Sequence, residues 1–391
     1  MKSLKENKDI NVLISGASIA GLNTAYWLLK YGYNVTIVER ASQIRAGGQA
    51  LDVRGPALEV AVRMGILDNI RKSSTELNGM LVVDALSGKE LSKNTEHTLT
   101  RGNNDSPDIE VLRDDLLKIL FDTVGNQGTY IFSDTIVSLI QDETGVDVTF
   151  ANASPQRFDL VIGADGLHSN VRKLVFGDEK QFTRYLGHYV AIFTIPNFLN
   201  LDHWEVIYQH EEAPIAAYIV KDKESEARVY LGFSNDIPSE YDYHDIDLQK
   251  QMLAERTINV GQDIPKILEY MRQSPNFYFD SMNQIVMDSW SKGRVTLVGD
   301  AGYSVSVSLG QGTTVAMVGA YVLAGELAAN KNDLQAGLTN YEKVLKEYVK
   351  SNQKLAYNSN EEQNLSNLNN PENIPDFTQS VVPFHLKNYE I

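Results

Sequence analysis

Three short stretches carry residue types that can seat a phosphorylated ligand with two chemically different ends. Gly16-Ala17-Ser18-Ile19-Ala20-Gly21 follows the apolar run Ile10–Ser15 and opens a helical pattern. Gly16 permits a tight turn and Gly21 close helix–strand packing, so a pyrophosphate can sit on exposed amides around Ser18, Ile19 and Ala20. Ser18 stands where a glycine is usual; it adds a Cβ, but its hydroxyl can donate a hydrogen bond. Glu39, eighteen residues past Gly21 at a strand end, can accept from ribose hydroxyls or be a solvated charge. Gly163-Ala164-Asp165-Gly166 follows the strand pattern Asp159–Ile162, with Arg172 one and a half turns further on. Asp165 can hold amides or waters near a pyrophosphate, or cap the next helix. Capping leaves the glycines at 163 and 166 unexplained.

Gly299-Asp300 ends the strand pattern Val295–Val298, and Gly310-Gln311-Gly312 begins a long helix. The Asp300 carboxylate can bind ribityl hydroxyls. Bare amides at a positive helix end stabilise negative charge on the pyrimidine edge of a reduced flavin; a flexible lead-in to a core helix is the alternative. The order and spacing of the three motifs point to a long, bent dinucleotide such as FAD, contacted at both ends.

Further candidates are basic or loop-borne. Arg40 can cover an adenine or face water. Arg45 and Gly47-Gly48-Gln49-Ala50-Leu51-Asp52-Val53-Arg54 read as a loop with paired glycines that can lie against a planar ring. Arg113 starts a helical pattern and can reach a phosphate or the ribityl chain, or pair with Glu110 or Asp114. No catalytic acid–base pair stands out. His203 and His210 lack metal-ligand spacing, and Ser306 and Ser308 lack a His–acid arrangement, so metal and serine-nucleophile chemistry rank low. Phe277-Tyr278-Phe279 reads as sheet packing before a substrate box.

The elements that must position these residues follow from periodicity. Ile10–Ser15, a helix to about Tyr31 ended by Gly32, and Asn34–Glu39 make a strand–helix–strand crossover. Helices are expected at Ala57–Met64, Leu67–Lys72 and Arg113–Val124, and a strand at Met80–Asp84. Tyr130–Phe132, Ile136–Ile140 and Val146–Phe150 suggest an antiparallel meander. From Gly187 to Gln284, runs such as Tyr189–Ile195, Trp204–Tyr208, Ala216–Val220 and Val229–Ser234 read as a separate antiparallel sheet. Helices close the chain near Thr314–Ala329 and Leu338–Lys354, and the Asn-rich stretch Asn358–Asn370 reads as a loop. The expectation is an α/β fold: a discontinuous Rossmann-like FAD-binding unit (residues 1–75, 99–177 and 287–330), an inserted antiparallel substrate sheet (76–98 and 178–286) and a C-terminal helical segment (331–391).

The 391 residues, 43% hydrophobic and 22% charged, can bury a large core. A net charge of −16 argues against binding nucleic acid or an anionic membrane, while leaving room for a local basic pocket. With no cysteine, disulfides and thiolate chemistry are excluded. Met1–Asn11 lacks the apolar run of a signal peptide, and Thr313–Ala324 is too short to span a bilayer. A cytoplasmic monomer is expected.

The motif set resembles the flavoprotein monooxygenases of the para-hydroxybenzoate hydroxylase type over roughly residues 8–345. Gly47–Gly55, Thr194–His203, Phe277–Asp280 and Gly319–Leu327 are similar to the tetracycline destructases within that group. The resemblance implies FAD held through Glu39, Arg40, Arg113 and Asp300, with Asp165 aiding pyrophosphate contacts, and reduction by NADPH or NADH. It implies O2 activation as a flavin C4a-hydroperoxide that hydroxylates an electron-rich aromatic or enol substrate, a tetracycline-like polyketide being the leading one. Two departures stand out: Ser18, and the stretch Ala301–Gly312, where the usual proline is missing and the loop beside the flavin is less rigid. A general aromatic hydroxylase, a flavin reductase and a non-catalytic flavin-binding protein remain as alternatives. So does a halogenase, although Trp-x-Trp-x-Ile-Pro is absent.

Overall fold

Short, β-branched strands buried along their length belong in a parallel sheet covered on both faces. The computed structural model builds one from Val295–Leu297, Leu160–Gly163, Asn11–Ser15, Asn34–Glu39 and Thr129–Phe132, in that spatial order, with Ser291–Lys292 antiparallel at one edge. It describes residues 6–44, 47–98, 102–103, 106–210, 216–221, 224–239, 241–306, 310–330, 333–362 and 381–389. Register matters most for function. Ser15 lies beside both Gly163 and Val38, and Gly163 beside Leu297. The three glycine-bearing motifs therefore leave the sheet at the same level, at the carboxyl ends of neighbouring strands.

The expected meander is corrected at its first strand. Thr129–Phe132 joins the parallel sheet beside Asn34–Glu39, and the separate antiparallel sheet is Ile136–Gln141, Val146–Phe150 and Gln156–Phe158. Alternating residues mark a strand but not its partner. The loop reading of residues 47–54 is also corrected: Ala50–Val53 pairs antiparallel with Ile109–Leu112.

A seven-stranded sheet is built from Phe277–Ile285, Thr183–Ile195, Ala227–Ser234, Ala216–Val220, Trp204–Gln209, Gly79–Asp84 and Glu90–Asn94. It is not wholly antiparallel, since Trp204–Gln209 runs parallel to Gly79–Asp84. The alternation of a strand divides its residues between two faces. On one face Tyr189, Phe193 and Phe279 pack under two helices that sequence reading missed, Ile246–Thr257 and Ile264–Gln273. On the other, Leu186, Val190, Ile192 and Met282 cluster with Tyr230.

Helix Gly312–Ala329 packs against both Ile19–Lys30 and Leu334–Glu362. The apolar run expected to be too short for a membrane extends into a helix of 18 residues that passes by length and hydropathy, yet it is 89% buried inside the protein. Its small residues make room for aromatic rings: a Cβ on Gly319 would lie 2.1 Å from the Tyr303 hydroxyl, and one on Gly325 2.2 Å from the Tyr389 ring. Glu326, buried in this helix, accepts from Tyr389 Oη at 2.9 Å and pairs with Lys387 Nζ at 3.0 Å. Residues 381–389 thus neutralise a charge in the core. The Asn-rich stretch expected as a loop is helical through Glu362; residues 363–370 lie outside the described set.

Candidate active site

The first turn is held by backbone on every side. Gly16 sits at φ +106°, donates to Val38 O at 2.8 Å, and would place a Cβ 2.5 Å from Ala164 O. A Cβ on Gly21 would lie 1.9 Å from Gly16 O. Glu39 braces the turn: Oε2 accepts from the Ala17 amide at 2.9 Å and Oε1 from Ala41 at 3.0 Å. A carboxylate oxygen has a second lone pair, so ribose hydroxyls are still within its capacity.

Ser18 is the N-cap of Ile19–Lys30, but its side chain does not cap the helix. Its hydroxyl accepts instead from Arg113 Nη2 at 3.3 Å. The first amides of that helix have no partner within it. Arg113 in turn meets the glycine pair: its amide donates to Gln49 O at 2.9 Å, and a Cβ on Gly48 would lie 2.7 Å from Arg113 Cδ. Ser18, Ile19, Ala20, Gly48, Gln49 and Arg113 therefore share one corner of the fold. Arg40 is exposed, with its charge near the Tyr243 phenol. Arg45 lies outside the described residues, as does part of the proline-free loop, residues 307–309.

Asp165 does cap the following helix. It accepts from the Val171 amide at 3.0 Å and from the Ser169 hydroxyl, which itself accepts from the Arg172 amide at 3.0 Å. Its flanking glycine has a separate use: Gly166, at φ +83°, faces open space. Arg172 is fully buried and spans two motifs, donating to Ala301 O at 2.8 Å and to Leu167 O while pairing with Glu179. Sequence reading placed Arg172 but not this role, because both acceptors are backbone carbonyls, which residue type does not reveal, and Ala301 is 129 positions away and brought near by the sheet.

The third motif closes on the first, since a Cβ on Gly299 would lie 2.9 Å from Ala20 Cβ. Asp300 is exposed and helps to line a cavity with Leu167, Tyr278, Asp280, Asn283 and Ser304. The surrounding protein raises its pKa, against a hydrogen bond from Ser304 and the charge of Arg172. Gly310, at φ +63°, abuts Asp52, whose Oδ2 would be 2.4 Å from an added Cβ. Gln311 is 1% exposed and its amide atoms have no partner among the described residues. Gly312 opens on empty space. Open ground beyond Gly166 and Gly312, an exposed Asp300 and bare helix-start amides fit a cofactor with a pyrophosphate and a polar ring.

Behind Gly310 lies an acidic cluster that sequence reading did not single out. Arg54 Nη2 is 3.0 Å from Asp52 Oδ2, and Asp108 lies 4.0 Å from Arg54 Nε. Glu110, 1% exposed, accepts from Thr75 Oγ1 at 2.6 Å. Burial pushes the Asp52 pKa up to about 8; Arg54 opposes this, while Glu110 and Asp108 add to it. The folded state therefore holds a proton on Asp52 that the unfolded chain has lost above about pH 4. Stability from this group is full below that pH and falls as pH rises toward about 8. Asp52→Asn is expected to flatten the decline, as measured by urea unfolding at pH 5 and pH 8. An unchanged slope would assign the proton elsewhere. Among the described residues no group of His, Asp and Glu is arranged to hold a metal ion.

A family model described as FAD binding domain matches residues 9–353. An uncharacterized Mycobacterium tuberculosis protein is 49% identical over 342 residues, 88% of this chain and 91% of its own length. A flavin-dependent monooxygenase of Legionella longbeachae is 37% identical over 348 residues, 89% of this chain and 88% of the relative. The crystal structure of tetracycline destructase Tet(51) is similar, with a TM-score of 0.86 and 34% identity over 97% of this chain and 100% of that one.

Proposed function

Because this chain belongs to the FAD binding domain family and is an FAD-dependent monooxygenase, we propose that it hydroxylates an electron-rich aromatic or enol substrate, a tetracycline-like polyketide being the leading candidate. The observation that carries the substrate class is the second face of the seven-stranded sheet. Leu186, Val190, Ile192 and Met282 form an apolar wall there, and Tyr230 reaches from it to accept the Ala50 amide at 2.8 Å. Val190 and Met282 also line the cavity that holds Asp300. An apolar wall beside a polar cofactor cleft suits a flat, oxygen-rich molecule. The likeness to a tetracycline destructase along the whole chain supports the finer reading.

Bound FAD supplies the activation of O2 and an electrophilic oxygen; NADPH or NADH supplies the electrons. The protein's part is placement. The first amides of Ile19–Lys30 hold the pyrophosphate, with Ser18 and Arg113 beside them. Glu39 takes the ribose and Asp300 the ribityl hydroxyls. The amides of Gly310, Gln311 and Gly312, at a positive helix end, favour negative charge on the ring edge. The apolar wall excludes water. An enol or phenol is already nucleophilic, so little acid–base help from the protein is needed at carbon.

The test is NADPH consumption by FAD-loaded protein with and without tetracycline, with product mass measured. Stimulation by the drug and a gain of one oxygen are expected. Stimulation only by simple phenols would replace tetracyclines with a general aromatic substrate, and no stimulation by either would remove the hydroxylase reading.

A further inference from the structure

A chain of hydrogen bonds leads out of the cavity that Asp300 faces. Tyr278, 41% exposed, lines that cavity, and its hydroxyl donates to Asp280 Oδ2 at 3.2 Å. His168 Nε2 lies 2.9 Å from the same oxygen, and His168 Nδ1 lies 2.8 Å from Glu179 Oε1. A ring with a carboxylate at each nitrogen carries both protons. Burial pulls the His168 pKa down, but Asp280 and Glu179 together raise it to about 10, so the ring is charged at neutral pH. Asp280 is almost fully buried, while the side chains of His168 and Glu179 are partly open to solvent.

The other groups facing this chain are few. Tyr243 stacks on the His168 ring, with centroids 4.4 Å apart. Arg172 pairs with Glu179, and Tyr241 lies 3.5 Å from Asp280 Oδ1. Asp280 and Asp300 both raise the Tyr278 pKa, after burial. An ion-pair latch between the strand Phe277–Ile285 and the segment after Asp165 would explain Glu179, His168 and Asp280. It would not explain a tyrosine that opens on the cavity while its hydroxyl meets the shared oxygen.

We propose that Tyr278, Asp280 and His168 form a proton-delivery chain for the oxygen chemistry of this cavity. The Tyr278 hydroxyl turns from Asp280 Oδ2 toward an oxygen anion formed there and gives it its proton, its oxygen then accepting from the Asp280 side. In the same event the Nε2 proton of His168 crosses Asp280 Oδ2 to the phenol oxygen, so a phenolate never accumulates. His168 is left neutral, its Nδ1–H still on Glu179, and solvent returns the proton through the exposed ring. No electron moves along the chain: reduced flavin is oxidised, O2 is reduced, and without organic substrate the sum is FADH⁻ + O2 + H⁺ → FAD + H2O2. Tyr278 is the catalytic residue; Asp280 and His168 act through it. The inference needs flavin and O2 but no particular organic substrate, so its failure and that of the tetracycline reading are seen in different experiments.

The test uses FAD-loaded protein, reduced anaerobically with dithionite and mixed with O2 in H2O and in D2O between pH 7 and about pH 10, the reach of His168. Tyr278→Phe is expected to slow flavin reoxidation about tenfold, less than the roughly hundredfold or more usual for a general acid because water can substitute, and to change the solvent isotope effect. The wild-type rate is expected to fall as pH approaches about 10, and His168→Gln to lack that limb. Asp280→Asn is expected to behave as Tyr278→Phe does. A latch alone would lower the unfolding midpoint in His168→Gln and Asp280→Asn with rate, isotope effect and pH profile unchanged, and that overturns the proposal. Should the buried Asp280 variant fail to fold, Tyr278→Phe decides: a yellow variant with wild-type reoxidation kinetics overturns it.

Discussion

Gly21→Ala is expected to yield a chain that is markedly less stable and binds little FAD. The added carbon would sit 1.9 Å from Gly16 O, and neither partner can move cheaply. Gly16 is itself pinned between Val38, which accepts its amide, and the Ala164 carbonyl. The helix Ile19–Lys30 must then lift from the sheet, at a cost near the upper end of the roughly 1–3 kcal/mol typical of overpacking. Its leading amides move with it, and losing one charge-assisted hydrogen bond weakens binding by about tenfold to a hundredfold. Urea unfolding and flavin titration measure the two effects. Gly312→Ala is the contrast, because its Cβ meets nothing within 4 Å. Alanine gains roughly 0.5–1 kcal/mol over glycine within a helix. That variant is expected to fold as well as wild type yet hold FAD less tightly; wild-type affinity would place the flavin ring elsewhere.

Arg172→Leu is expected to cost about 3–5 kcal/mol, the usual result of removing one member of a buried charged pair. The Ala301 and Leu167 carbonyls would lose this donor, and among the described residues Glu179 would keep His168 as its ion-pair partner. Arg172 also holds the Asp300 pKa down, so the variant raises it further. Neutral Asp300 accepts ribityl hydroxyls less well, so FAD binding should weaken more at pH 6 than at pH 8. Arg172→Lys keeps the charge without the planar fork and should recover only part of the stability. A loss under about 1 kcal/mol for Arg172→Leu would show that the two motifs stand without this brace.

Much of the candidate cofactor site's local geometry was legible because its parts are local. A strand, a glycine at positive φ and a helix start lie within a dozen residues around Gly16, and their backbone requirements show in the residue types. Helix Ile264–Gln273 was missed although Ile264, Ile267, Leu268 and Met271 repeat at helical spacing, because the surrounding pattern is rich in strands. Ile246–Thr257 was harder, since only Gln249, Leu253 and Thr257 are buried. Thr129–Phe132 and Ala50–Val53 were misplaced because strand propensity says nothing about which distant strand accepts the hydrogen bonds.

The sequence by itself determined that a glycine turn opening a helix, a carboxylate and a second helix start beside glycines follow three buried strands, because those needs are met within single turns of chain. Only the tertiary structure decided that Ser18 would face Arg113, that Arg172 would join the second motif to the third, and that Tyr278 would meet His168 through Asp280. Side-chain partners far apart in the chain are chosen by sheet register and packing, and a shift of one residue in the strand Phe277–Ile285 would have turned Tyr278 and Asp280 to the opposite face.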